Sequence, residues 1–420
     1  MLICDQIPAQ GFEWEKTAHR FIFEGLHKLI SEGSGRMEEE RSEIRRGNER
    51  KKGTGNKSNN FSALRLCAAC FVFAGHMGML LGGKTPTFTG FSLHWLGVSM
   101  LFLIGGYLVS YSWLMDPHPL RYGIKRFMRL WPPFAVMVLL MTYAAGPLVS
   151  DLGVQGYFGS WYKLYLLNLR FYIVYAQPGV FPDNPIPMST NGSLWTMPVE
   201  AALYVLTPFI LSLLGMRRKN VPGRPEDRTS EEKHIKRRSL VIHVLFIAAL
   251  CLGDVLLRIF AGNKQIIFYG TDLVYAYHLI VMYMIGMLFV REELQKTLSL
   301  QKAVLFTAVL FLTEYAGEPL HFAALYVVFP YLIFSLALAK EPVFAGVGRR
   351  LDLSYGIYLY GYFFQQLVIQ RMCRAGHPPG YLTALVLSGI LTIPAAVLSW
   401  FLIEKPSIAI GKLFRPGSSS

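Results

Sequence analysis

The chain has 420 residues, 53% of them hydrophobic and only 16% charged, with 41 Lys and Arg against 27 Asp and Glu and a net charge of +14. A soluble protein carries roughly 25% charged residues, so the composition excludes a disordered, collagen-like or disulfide-stapled secreted chain. It points to a polytopic membrane protein whose surplus positive charge marks loops between apolar spans, not a nucleic-acid partner.

Residues 1–60 differ in kind from the rest, with 11 Lys and Arg beside 10 Asp and Glu. They read as a solvated, mobile cytoplasmic segment with a short amphipathic helix at 21–30. No signal-peptide pattern appears, and Met37 is an alternative start. The membrane domain is expected over 61–414, with a flexible tail at 415–420.

Ten apolar runs follow, at 61–81, 91–113, 131–149, 195–214, 239–260, 272–290, 303–315, 321–339, 354–369 and 381–403. Each is expected to be a helix, because only internal hydrogen bonding satisfies a backbone in lipid. The seventh is the shortest, and 157–175 reads as an interfacial or re-entrant piece. Lys and Arg cluster between runs two and three, four and five, eight and nine, and after ten. All of these fall on the side of the N-terminus, which makes that side cytoplasmic. The sequence therefore predicts an all-α transmembrane helical bundle of about ten spanning helices with both termini cytoplasmic. Cys67 and Cys70 form a C-x-x-C inside the first run, where packing explains them better than redox chemistry. No Cys/His spacing suits a metal.

Ionisable groups inside apolar runs carry the functional signal, since burying them costs several kcal/mol without partners or water. Arg65 and His76 are eleven residues apart, so they share a helix face with a rise of about 16 Å. That is the reach of a phosphopantetheine arm; a snorkelling Arg and a hydrogen-bonded core His fit the spacing too. Glu200 lies at a depth like that of His76 in the outer half of the bundle, and a carboxylate beside an imidazole orients a general base. Arg126 and Arg129 share a face at i, i+3, which suits coenzyme phosphates and anionic lipid heads alike. Trp195 opens the fourth run as an interfacial aromatic. Asp254 and Arg258 are placed to pair at i, i+4, and His278 is the rival candidate for a base.

Several ordered motifs then coincide. They are Arg65 and His76 in LRLCAACFVFAGH, Arg126 and Arg129 in RFMRLWPP, and Ser193, Leu194, Trp195, Glu200 and Tyr204 in SLWTMPVEAALY. LSYGIYLYG, with Ser354, Tyr355, Tyr358 and Tyr360, and the closing Ile403 to Pro406 complete the set. Together they resemble the bacterial acyltransferase-3 group of integral-membrane O-acyltransferases, and the likeness covers nearly all of 61–414. The chain departs from that pattern at Gly105-Gly106-Tyr107-Leu108, where the family commonly has Ser-Gly-Phe-Leu. It departs again at Tyr360-Gly361-Tyr362, where a His often follows.

The resemblance implies transfer of an acyl group, usually acetyl, from cytoplasmic acyl-CoA to a hydroxyl of a surface polysaccharide or lipid-linked glycan, in a bacterial inner membrane. Other expected partners are lipids and export machinery. His76 is then base or transient acyl carrier, Glu200 orients it, and Arg65, Arg126 and Arg129 bind the donor. Trp195, Tyr204, Tyr355 and Tyr358 are expected to contact substrate, and no metal is needed. The alternative is a polytopic transporter of a lipid-linked glycan or organic anion.

Overall fold

The computed structural model describes residues 59–216, 230–261, 264–339, 341–348 and 350–414. The segment expected to be mobile, its helix at 21–30 and the tail at 415–420 lie outside the described residues, as does most of the basic linker between the fourth and fifth runs.

Each of the ten apolar runs falls on a helix. These are α1 (Phe61–Leu80), α2 (Leu93–Met115), α3 (Pro119–Leu140), α4 (Met197–Leu213), α5 (Ser230–Ala261), α6 (Leu273–Leu288), α7 (Leu300–Thr313), α8 (Glu318–Ala337), α9 (Ser354–Arg374) and α10 (Tyr381–Ser399). A π-helical turn at Trp400–Glu404 leads from α10 into α11 (Lys405–Leu413). Among the described residues, seven helical segments are long and apolar enough to cross a membrane. Of the other three runs, α6 has 16 residues and α7 has 14. The third, α9, is long enough but carries three buried glutamines, Gln365, Gln366 and Gln370. The all-α membrane bundle stands on these helices.

One boundary differs from the sequence expectation in a way that matters for the site. The third helix begins at Pro119, not at 131, with Pro at its first turn and the His118 ring capping its start. The basic stretch from Arg121 to Arg129 is therefore not a loop. It is the first half of the same helix, with Asp116 holding Arg121 and Lys125.

The bundle contains an internal repeat. A hairpin of β1 (Thr87–Phe88) and β2 (Phe91–Ser92) precedes α2, and one of β3 (Ile267–Phe268) and β4 (Thr271–Asp272) precedes α6. Thr87 pairs with Ser92 in the first and Ile267 with Asp272 in the second, so every residue of the second hairpin is numbered 180 above its counterpart. Both turns are left-handed at the same two places, Thr89-Gly90 and Tyr269-Gly270, with φ of 48° and 75° in one and 53° and 71° in the other. Two consecutive positive φ values are what a tight two-residue hairpin needs.

The same offset of 180 relates the helices that follow. A Cβ placed on Gly106 of α2 would sit 2.0 Å from the carbonyl oxygen of Tyr283, and one on Gly286 of α6 would sit 2.0 Å from that of Leu103. The α2–α6 contact is thus reciprocal, as about a local two-fold axis, and it is made by glycines because small residues let membrane helices touch backbone to backbone.

The long connection at 150–194 is ordered. It holds a short helix at Gly153–Phe158 and a 3₁₀ helix at Tyr162–Arg170, which fall within or beside the stretch expected to be amphipathic. Tyr157 is fully buried and donates to the Thr142 carbonyl at 2.9 Å. Arg374, at the end of α9, clasps this connection with a two-pronged pair to Asp151 (2.7 and 2.5 Å) and a third bond to Asp183 (3.1 Å). The Arg374 bonds hold the Asp151 carboxyl below the ordinary value of 3.8. A carboxyl with a depressed folded pKa contributes stability above the unfolded value and loses it as pH falls through the folded one. The clasp is therefore expected to be constant from pH 5 to 9 and to open below about pH 4. Arg374→Ala should quicken proteolysis within 150–194 about fivefold at neutral pH, the ~1 kcal/mol of a solvent-screened pair.

Candidate active site

Two helices and one loop gather three guanidinium groups at one end of the bundle. Arg65 comes from the first turns of α1, and Arg126 and Arg129 from one face of α3, where residues three apart are neighbours. Asp352, two residues before α9, organises them. Its Oδ2 accepts from Arg65 Nη2 at 3.0 Å and from Arg129 Nη2 at 3.2 Å. Its Oδ1 accepts from the Ser354 hydroxyl at 2.6 Å and the Ser354 amide at 3.3 Å. One buried carboxylate thus ties the start of α9 to α1 and α3. Burial works against its ionisation, but Arg65, Arg129 and Ser354 outweigh it and hold the carboxyl below its usual value. Asp352 was missed by sequence reasoning. The available signal was that it is the only acidic residue between Glu341 and Glu404.

Arg126 has a different setting. Its Cζ lies 5.8 Å from the Tyr204 ring and 6.0 Å from the Tyr122 ring, within cation–π range. Its Nη2 reaches the Ser112 hydroxyl at 3.5 Å, and its Nε is buried without a partner among the described residues. Glu200 lies one turn before Tyr204 on α4 and accepts a short hydrogen bond from the Tyr204 hydroxyl.

These groups line a cleft with two unlike walls. Arg65, Arg126, Arg129, Glu200 and Tyr204 form the polar one. Opposite them, Val98, Leu101, Phe102, Gly105, Leu108 and Val109 present one face of α2 at three- and four-residue spacing. Tyr355 and Tyr358 close the side formed by α9. Tyr355 donates to the Leu130 carbonyl at 2.8 Å, and Tyr358 to the Ser193 carbonyl at 2.8 Å while meeting the Thr196 hydroxyl at 2.6 Å. Both hydroxyls are thereby fixed to neighbouring helices.

Seven of the nine residues singled out in the sequence line this cleft, and two do not. Trp195 sits in the 3₁₀ turn Leu194–Thr196, which points its neighbour Thr196 into the cleft instead. Its own carbonyl accepts from Thr271 at 2.9 Å, and its ring faces Tyr275 at 6.4 Å.

His76 is buried beyond the cleft. Its ring lies 5.6 Å from that of His94 and 5.3 Å, edge-on, from that of Tyr362. The expected pairing of Glu200 with His76 is not formed, because Glu200 is engaged with Tyr204. Counting residues along two helices gives their depth but not the direction each side chain faces. The connection between the two places runs along α9: Tyr355, Tyr358 and Tyr362 follow at i, i+3 and i+7, and Tyr362 lies about 6 Å above Tyr358.

The rival base is committed elsewhere. Asp254 and Arg258 pair at 3.1 Å as expected. His278 contacts Asp254 Oδ2 at 3.3 Å and the Tyr326 hydroxyl at 2.9 Å through Nδ1, and Ser99 at 2.9 Å through Nε2. Trp95 stacks on its ring at 4.0 Å. Both nitrogens are occupied, and none of these residues lines the cleft.

Comparison with known proteins identifies the family. The acyltransferase domain of the acyltransferase-3 family matches residues 59–403. An "O-acetyl transferase" of Shigella phage Sf6 is 24% identical over 355 residues, spanning 83% of this chain and 96% of that protein. "Nodulation protein 10" of Rhizobium leguminosarum bv. viciae is 27% identical over 378 residues, spanning 84% of this chain and 94% of its own. No solved structure matches. With most of its length matched and four of its five motifs each placing residues on one cleft, the chain belongs to the membrane-embedded acyltransferase-3 family.

Proposed function

We propose that this membrane O-acyltransferase moves an acyl group, acetyl as in the name of the phage relative, from acyl-CoA to a hydroxyl of a surface polysaccharide or lipid-linked glycan across a bacterial inner membrane. The observation that carries this reading is the polarity of the cleft. Guanidinium groups collect at one end, where a polyphosphate would be held, and an apolar wall leads from them towards the level of His76. On this reading the donor enters from the cytoplasmic side at Arg65, Arg126 and Arg129, and the acceptor meets His76.

His76 then takes the proton of the acceptor hydroxyl. The oxygen forms a bond to the thioester carbonyl carbon, the carbon–sulfur bond breaks, and the departing thiolate takes up the proton. The alternative order, in which the imidazole first carries the acyl group, uses the same residue. Glu200 acts through Tyr204 on Arg126 and so belongs to donor binding.

His76→Ala is expected to lower transfer from acetyl-CoA by at least about 100-fold, the usual share of a positioned base, while CoA affinity and protein yield stay constant. His278→Ala is the contrast. If His76→Ala retained full turnover while His278→Ala lost it, the base would be reassigned.

A further inference from the structure

Gly105 and Gly106 are adjacent in α2, yet they answer to different demands. A Cβ on Gly106 would strike the Tyr283 backbone, with its oxygen at 2.0 Å and its carbonyl carbon at 2.9 Å. A Cβ on Gly105 would meet only the edge of the Tyr283 ring, at 3.7 and 3.9 Å, which is ordinary contact. Gly106 is required by the helix crossing; Gly105 is not, and it faces the cleft.

The internal repeat supplies a control for this distinction. Gly286 is the counterpart of Gly106 and is tight against the Leu103 carbonyl in the same way. The counterpart of Gly105 is Ile285, a buried β-branched residue in the same helix crossing. The crossing thus accommodates a full side chain at this position. Glycine in a helix interior costs roughly 1 kcal/mol relative to alanine, so its presence at 105 calls for a use of the space it leaves.

Position along α2 indicates that use. Ser112, which contacts Arg126, is seven residues and about 10 Å beyond Gly105, and Val98 is as far in the other direction. The lining residues of α2 run from Val98 to Val109, about 16 Å, and Gly105 is a gap in that apolar wall about one turn in from the end nearer Arg126.

We infer that Gly105 sets the bore of the cleft for the unbranched chain that joins the phosphates of the donor to its thioester, an inference that rests on reading the cleft as the acyl-CoA site. Filling position 105 excludes every such donor, whatever acyl group it carries, and leaves the fold intact.

The test measures binding of CoA itself to the purified full-length protein, alongside the thermal midpoint without ligand. Gly105→Ala should bind within threefold of the unsubstituted protein, and Gly105→Ile should bind at least 30-fold more weakly with an unchanged midpoint. In Gly105→Cys, modification of residue 105 by methyl methanethiosulfonate, read by peptide mass, should slow at least tenfold under saturating CoA.

Gly105→Ile binding CoA normally, or CoA giving Cys no protection, would overturn the bore while leaving the donor site standing. Unfolding of Gly105→Ile would overturn it as well, since the position would then be needed for packing. Failure of the unsubstituted protein to bind CoA would remove the donor reading and this inference together.

Discussion

Arg129→Ala is expected to raise the KM for acetyl-CoA about 100-fold with a much smaller change in kcat. Arg129 is the only one of the three cleft arginines that joins α3 to Asp352. Its loss removes a charge-assisted contact to phosphate worth ~1.5–3 kcal/mol, and each 1.4 kcal/mol is about tenfold in affinity. It also leaves Arg65 as the one arginine bonded to Asp352. Arg129→Lys should recover only part of the affinity, because an ammonium keeps the charge but not the planar fork that serves carboxylate and phosphate at once. Steady-state kinetics with varied acetyl-CoA separates the two parameters; an unchanged KM in Arg129→Ala would place the donor phosphates elsewhere.

Gly106→Leu should prevent assembly of the bundle. The new side chain would have to occupy the place of the Tyr283 carbonyl, and α2 cannot withdraw from α6 without driving into α1, since Gly97 on its other side already lies against the Ala68 carbonyl and Val72. Overpacking of a core typically costs 1–3 kcal/mol; this site offers backbone rather than flexible side-chain tips, so the cost lies at or beyond the upper end. The expected outcome is at least a tenfold fall in folded, monodisperse protein after detergent extraction, with Gly286→Leu behaving alike. Equal yields from Gly106→Leu and Gly105→Ala would contradict the reciprocal crossing.

Much of this architecture was legible in the sequence, because membrane helices announce themselves by continuous hydropathy and charged groups within them stand out. Arg65 and Glu200 stood out that way, Arg126 and Arg129 by their i, i+3 spacing, and Tyr204, Tyr355 and Tyr358 through the family motifs; all seven share one cleft. What the sequence did not disclose was azimuth. Glu200 and His76 were matched by depth, but α4 turns the carboxylate to Tyr204. Trp195 was read as part of the site, but a 3₁₀ turn offers Thr196 in its place. Asp352 was passed over for a different reason: it stands out as a lone acid, but its partners are 287 and 223 residues away, and no local pattern encodes such a pairing.

The start of α3 was misplaced because hydropathy marks where apolar residues begin, whereas a helix starts where its first turn is capped. The duplication could have been seen in Phe-Thr-Gly and Phe-Tyr-Gly at 88–90 and 268–270, but three residues in 420 are easily passed over.

The duplication also bears on why the molecule has a single working side. Val98 borders the cleft, while the residue 180 positions later is His278, locked between Asp254, Tyr326 and Ser99. Gly105 leaves a gap, while Ile285 fills one. Two copies of one helix–hairpin–helix plan thus serve as mortar on one flank and as a mould on the other. The asymmetry that makes a catalyst of a symmetric scaffold comes down to a few side chains along a single helix face.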